Sequence, residues 1–140
     1  MGDIPEEVIA EKEHVEKTLS ILLGVLPKKD KSIVEITAIA TFIHNCYNGI
    51  ENILKQTIKN KNVPIPFSEH WHKTLLQIAV KESILSPSLS DHLYDFLAFR
   101  HFFVHGYGHR LNENQLMVLA NEMESVWKQF LGEIELFYNK

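Results

Sequence analysis

The fold of this chain is decided by its longest amphipathic segment, which spans residues 32–58 and reads SIVEITAIATFIHNCYNGIENILKQTI. Ser32 is followed three residues later by Glu35, as in the capping box that begins many helices. Behind this box, apolar residues recur every three or four positions over a length that strands rarely reach. The segment therefore predicts a long helix, whose apolar stripe consists of Ile36, Ile39, Ala40, Ile43, Tyr47, Ile50, Ile53, Leu54 and Ile58.

Four further segments show helical periodicity, and the sequence contains no convincing pair of strands. The first segment follows Pro5 and two glutamates, which suit the first turn of a helix, and it ends at Pro27. The last segment begins at Asn112, whose side chain can cap a helix together with Gln115. Its apolar residues keep helical spacing as far as Phe137.

Two shorter helical segments lie between these, each bounded by residues that favour turns. Ser68 is the expected cap of the third helix, which runs to about Ser83. Ser88 or Ser90 is the expected cap of the fourth helix, which stops near Gly106. The pattern predicts an all-α bundle of four to five helices in a single domain over residues 1–140, with the second and fifth helices as its longest members.

Composition agrees with one soluble domain, because 140 residues with 45% hydrophobic and 23% charged side chains are enough for a real core. No segment reaches the roughly 18 apolar residues of a membrane span, and the N-terminus lacks the features of a signal peptide. The single cysteine, Cys46, is expected to be a buried thiol. We therefore expect a cytoplasmic protein without membrane contact. The net charge of −4 argues against a non-specific nucleic-acid coat, but it leaves room for an RNA enzyme with a local cationic cleft.

The residues that carry chemistry are concentrated at the end of the fourth segment, where residues 100–107 read RHFFVHGY. Arg100 carries a permanent charge on a planar fork that suits phosphate, and His105 can exchange a proton near neutral pH. On an ideal helix the two lie about 140° and about 7.5 Å apart, so they do not share one narrow face. A bent arginine side chain, a distortion near Gly106, or two copies facing each other in a dimer would bring them together.

Other interpretations of these residues stay open. Arg100 could pair with a carboxylate on a neighbouring helix while His105 caps the end of its own helix. His101, His105 and His109 recur every four residues, a spacing that suits zinc on a helix. The glycines should end the helix before His109, however, and no acidic residue or cysteine lies nearby, so we expect no metal site.

Several neighbouring ring side chains are assigned structural roles. His70 and His72 are expected to be surface or partly buried residues at the start of a helix. Phe99, Phe102 and Phe103 make the fourth helix apolar on more than one face. Such a helix is covered on more than one side, which points to a second subunit packed against it and hence to a homodimer.

The stretch at residues 100–107 resembles the R-x4-H-x-Y motif of the HEPN superfamily, and in particular that of the HepT-like toxin ribonucleases. The resemblance rests on Arg100, His101, His105 and Tyr107, and on the YNGIE segment of residues 47–51 in the long second helix. It implies a metal-independent endoribonuclease without a cofactor, in which the arginine and histidine of two protomers line a cleft at the dimer interface. Arg100 and His105 would be catalytic and His101 supporting. RNA and not DNA would be cut, because the 2′-hydroxyl is the attacking group.

The resemblance also implies a partner and a modification. A HepT-like toxin is encoded as one half of a two-gene system. The other half is an MNT-type nucleotidyltransferase antitoxin, which adds AMP to the motif tyrosine. Here that residue is Tyr107, although on the residues alone its ring could equally fold back over the bundle. A HEPN-like module that binds RNA or nucleotides without cutting is the alternative function. A helical protein that binds a metal or a small ligand through His101 and His105 is a third.

Overall fold

The computed structural model describes residues 3–105 and 112–139, and these residues form five α-helices with no strand among them. The helices are α1 (Glu6–Val25), α2 (Ile33–Asn60), α3 (Trp71–Lys81), α4 (Pro87–Val104) and α5 (Glu113–Tyr138). With 28 and 26 residues, α2 and α5 are the longest of the five. The predicted all-α class and the predicted pair of longest helices are thereby confirmed.

The start of α2 has the predicted capping box. The N–H of Glu35 donates to the Ser32 hydroxyl at 3.2 Å, and the N–H of Ser32 donates to the Glu35 carboxylate at 2.8 Å. Lys28 lies 2.7 Å from the same carboxylate. These partners, Lys28 first, lower the pKa of Glu35 to about 2. At the start of α5 the prediction also holds, because the Asn112 side chain accepts from the N–H of Gln115 at 3.1 Å.

The predicted cap of α3 is wrong. Ser68 lies before the helix and contributes its carbonyl, which accepts from the N–H of Trp71 at 3.3 Å. His70 occupies the cap position and forms no capping hydrogen bond through its side chain. The short turn before Trp71 thus begins the helix without the side-chain cap that the sequence suggested.

The predicted caps of α4, Ser88 and Ser90, are also wrong, because the cap is Ser86. Its hydroxyl accepts from the N–H of Leu89 at 3.2 Å, and Pro87 takes the first helical position, where a missing N–H costs nothing. Glu133 of α5 fixes this cap from outside, since it accepts from the N–H and the hydroxyl of Ser86 at 2.6 and 2.7 Å. Ser90 consequently lies within α4, past its first residues, and its side chain is buried.

The centre of the bundle is α2, which contacts each of the other four helices. Its predicted apolar stripe is confirmed, with Ile36 half-buried and the other members buried. Cys46 is fully buried as expected, and burial raises the pKa of its thiol to about 12. Because α2 is enclosed on several sides, any polar side chain on its inner face meets residues of other helices.

Other helices of the same chain bury much of the aromatic surface of α4. Phe99 is only 9% exposed, and Phe103 is half-buried with its ring centroid 4.9 Å from that of His44 on α2. Phe102 lines a cleft of about 380 Å³ between α4 and the start of α5. The homodimer predicted from these aromatic residues therefore stays a prediction, and Val104, at 50% exposure, is the more exposed apolar residue of this helical end. None of the helices described is both long enough and apolar enough to span a membrane.

Candidate functional site

Arg100 lies near the end of α4 and reaches across to α2. Its Nε donates a hydrogen bond to the Asn48 side-chain oxygen at 3.3 Å and lies 3.9 Å from a carboxylate oxygen of Glu51. The arginine side chain is 23% exposed, whereas that of Glu51 is 3% exposed. One side of the guanidinium is therefore held against buried residues of α2, and the other side faces the solvent.

Glu51 is a buried carboxylate that joins three helices. His72, the second residue of α3, has its Nδ1 2.9 Å from each carboxylate oxygen, and because a carboxylate only accepts, this nitrogen carries the proton. A buried carboxylate needs such partners to offset its lost hydration. The neighbouring Tyr47 is fully buried, and its pKa is raised first by burial and then by the charge of Glu51.

Asn48 connects Arg100 to a second histidine. Because its oxygen accepts from Arg100, its amide nitrogen faces His44, whose Nε2 lies 3.0 Å away and accepts. Burial, and then the charge of Arg100, lower the pKa of His44. His44 is therefore expected to stay neutral at neutral pH and to serve as a fixed support for the amide of Asn48.

His101 and His105 are exposed neighbours on the last turn of α4. Their ring centroids lie 4.3 Å apart, with 52° between the ring planes. His105 is the residue that ends the helix, and its N–H donates to the carbonyl of His101 at 3.2 Å. Two imidazoles thus stand side by side and open to solvent.

The structure brings His101 and His105 together and places Arg100 against α2. The alternative in which Arg100 approaches a carboxylate of a neighbouring helix is present, but the contacts made by Arg100 with the described residues use Nε. Within the part of the chain that the structure describes, no hydrogen bond or ion pair occupies the two terminal nitrogens of its fork. Tyr107 and His109 lie outside the described residues. Within residues 3–105 and 112–139, no three His, Cys, Asp or Glu side chains are grouped so that they could hold a metal ion.

Sequence reasoning missed four polar residues of this site, although two signals were present. Glu51 is a charged residue on the apolar stripe of α2, one turn from Tyr47 and from Leu54, which predicts a buried and paired carboxylate. His72 is half-buried at a helix start, as expected, but its partner was not foreseen. Asn48 belongs to the segment of residues 47–51 on which the family resemblance rests, but no role was expected for it there. His44 carries no comparable signal, because a polar residue at the edge of an apolar stripe is usually solvated.

The sequence of the chain matches a known family over most of its length. The model of that family, described as HepT-like protein, matches residues 38–140. The chain is a HepT-like protein. The predicted resemblance of the chain to the HepT-like group is thereby confirmed. No curated protein matches the chain in sequence.

Solved structures share the fold of this HepT-like protein. The crystal structure of a toxin–antitoxin with AMP-PNP superposes with a TM-score of 0.83 at 14% identity, covering 94% of this chain and 99% of that one. A mutant of the toxin–antitoxin MntA-HpeT gives 0.72 at 13% identity, covering 97% and 100%. YutE, a cytosolic protein of unknown function from Bacillus subtilis, gives 0.68 at 20% identity, covering 89% and 88%. At such identities the likeness establishes the fold.

Proposed function

We propose that this HepT-like protein is a metal-independent endoribonuclease toxin of a toxin–antitoxin pair. One observation carries the proposal: Arg100 is held by α2 through Nε, and an exposed pair of imidazoles, His101 and His105, follows it at the end of the same helix. A fixed cation that can bind phosphate oxygens and two proton carriers within one helical turn are the groups that RNA cleavage requires.

In the proposed reaction, neutral His105 takes the proton of a ribose 2′-hydroxyl. The 2′-oxygen attacks the adjacent phosphorus, and the bond from phosphorus to the 5′-oxygen breaks. Protonated His101, or the partner subunit's His105, gives a proton to that leaving oxygen. The products are a 2′,3′-cyclic phosphate and a 5′-hydroxyl, so RNA is the substrate and DNA is not.

Arg100 has the electrostatic role in this reaction. Negative charge grows on the non-bridging phosphate oxygens as the 2′-oxygen attacks, and the terminal nitrogens of the fork can donate to two of them at once. Asn48 and Glu51 hold the guanidinium before substrate arrives, which reduces the ordering that binding must impose. The side chains thus supply base, acid and charge stabilisation without a metal or an organic cofactor.

The experiment that tests this function is RNA cleavage by purified protein in EDTA, with the termini of the products identified. We expect 2′,3′-cyclic phosphate ends and a loss of about 10²- to 10⁴-fold in rate for His105→Ala. Arg100→Lys should retain little of the wild-type cleavage rate, because lysine lacks both the planar fork and the Nε that holds it. His92→Ala is the matched control, since His92 is an exposed histidine of the same helix.

Two results would contradict the proposal: cleavage that survives His105→Ala, or cleavage that needs an added divalent metal. The alternative, a module that binds RNA or nucleotides without cutting, has its own signature. Such a protein would bind RNA through Arg100, produce no cyclic phosphate, and lose no affinity with His105→Ala.

We further propose that an MNT-type nucleotidyltransferase antitoxin silences the enzyme by adding AMP to Tyr107. The shared fold with toxin–antitoxin structures supports the choice of partner. An adenylyl group two residues after His105 would bring a phosphate that competes for Arg100 and a base that blocks the path of the RNA.

Intact mass after co-expression with the partner tests this modification. The mass should rise by whole adenylyl groups, mapped to the peptide that contains Tyr107, and Tyr107→Phe should abolish the rise. Tyr94→Phe is the control, because Tyr94 is half-buried whereas Tyr47 and Tyr138 are at most 1% exposed. A Tyr107→Phe protein that is silenced as well as the wild type would place the switch elsewhere.

A further inference from the structure

His72 lies outside the R-x4-H-x-Y motif, on α3, and among the described residues its hydrogen bonds to the site go to Glu51. We propose that His72 is a positioning residue of the proposed ribonuclease: by holding the Glu51 carboxylate, it keeps the terminal nitrogens of Arg100 available for the scissile phosphate. This inference rests on the function proposed above, and it concerns a residue that does not itself touch the RNA.

The geometry shows which partner holds the carboxylate of Glu51. Both oxygens lie 2.9 Å from His72 Nδ1, within hydrogen-bond distance. Only one oxygen approaches Arg100, and at 3.9 Å it is beyond the range of a hydrogen bond. The carboxylate is thus bound to the imidazole and lends Arg100 a longer-range attraction that orients the guanidinium without occupying its fork.

The consequence of losing His72 follows from the burial of Glu51. At 3% exposure, the carboxylate cannot recover its hydration and must find another cation or donor. The neighbouring Tyr47 hydroxyl, which is buried without a hydrogen-bond partner among the described residues, offers one neutral donor, and Lys55, one turn later on α2, is held over an indole ring at 4.6 Å. Arg100, 3.9 Å away, offers both a charge and two parallel donors. A carboxylate released from His72 would therefore close onto Arg100 as a two-pronged ion pair, the strongest pairing that these groups form.

Such an ion pair would disable the site without unfolding it. It would occupy the nitrogens that the phosphate needs and would cancel the charge that stabilises the transition state. His72 therefore acts as a spacer between a buried anion and the catalytic cation. A purely structural role, in which His72 only ties α3 to α2, predicts instead a loss of stability with no specific effect on Arg100.

Three substitutions at one position separate these roles. His72→Asn keeps an N–H donor near the place of Nδ1 and should retain most of the activity. His72→Leu removes the donor at similar size. We expect kcat to fall about 10- to 100-fold with little change in KM, by analogy with the supporting hydrogen bonds that orient metal ligands. His72→Met, which also lacks a donor and has a more flexible side chain, replaces the leucine variant if circular dichroism shows that the leucine variant is unfolded. His70→Ala is the control, since His70 is exposed two residues earlier.

A double variant gives the sharpest comparison. Glu51→Gln removes the negative charge that would capture Arg100, so His72→Leu combined with Glu51→Gln should have a higher kcat than His72→Leu alone. A structural tie predicts the opposite, because the second substitution would add its own loss. Equal or lower kcat in the folded double variant would overturn the proposal.

A readout that does not depend on cleavage keeps this test separate from the proposed function. The chain has two arginines, Arg100 and Arg110, so an Arg110→Lys background assigns the Arg100 Nε–H signal in a ¹⁵N NMR spectrum. We expect this signal to shift in His72→Leu, to return towards its original position in His72→Asn, and to stay in place in His70→Ala. If the wild type cuts no RNA, the ribonuclease function fails, and the NMR comparison still decides whether His72 governs Arg100. An unchanged signal in His72→Leu would overturn that link.

Discussion

Gly49 lies where α1 packs against α2, and we expect Gly49→Ala to destabilise the protein. A Cβ at this position would collide with the Cγ2 of Val15, whose side chain is fully buried. Alanine in place of glycine within a helix gains about 1 kcal/mol, whereas overpacking a core costs about 1–3 kcal/mol. Because Val15 is enclosed, we place the cost at the upper end, which leaves a net loss of about 2 kcal/mol.

Urea unfolding followed by circular dichroism measures this change, and the chain offers a matched control. A Cβ at Gly132 of α5 would meet no atom within 4 Å, so Gly132→Ala should raise the free energy of unfolding by up to about 1 kcal/mol. Val15→Ala should remove the obstacle, so its combination with Gly49→Ala should be more stable than the sum of the single losses predicts. If Gly49→Ala proves as stable as the wild type, the reasoning from close packing is refuted.

Three further predictions concern assembly, the thiol and pH. Light scattering should give a homodimer with twice the 16.2 kDa mass of the chain. If one cleft contains residues of both subunits, mixing Arg100→Ala chains with His105→Ala chains should restore some cleavage. No recovery in verified heterodimers would place each site within one chain. The thiol of Cys46, with its pKa raised to about 12, should resist iodoacetamide in the folded protein and react in urea, and rapid labelling of the native protein would contradict its burial. The pKa of Glu35 is lowered from its usual 4.5 to about 2, so its stabilising contribution is present above about pH 4.5 and is lost as the pH falls towards 2. In Glu35→Gln the urea midpoint of unfolding should therefore depend less on pH between about 4.5 and 2 than in the wild type. The same pH dependence in both proteins would refute this contribution.

Local signals in the sequence were sufficient to predict the helices. A capping box and an apolar stripe depend on residues a few positions apart, which is why the start of α2 and its buried face were predicted correctly. Caps made of a single serine are less specific, since several serines stand near each start. The cap of α4 depended on Pro87 and on a contact with Glu133, 47 residues further along the chain.

The sequence by itself determined the all-α class, the buried thiol, and the motif of Arg100, His101 and His105 on one helix, because each follows from residues close together in the chain. Only the tertiary structure decided what holds Arg100. Asn48 lies 52 residues before it, and His72 lies 21 residues after Glu51. Periodicity tells which face of a helix is buried, but the partners across that face depend on how the helices pack, and a buried carboxylate among three helices is set by that packing.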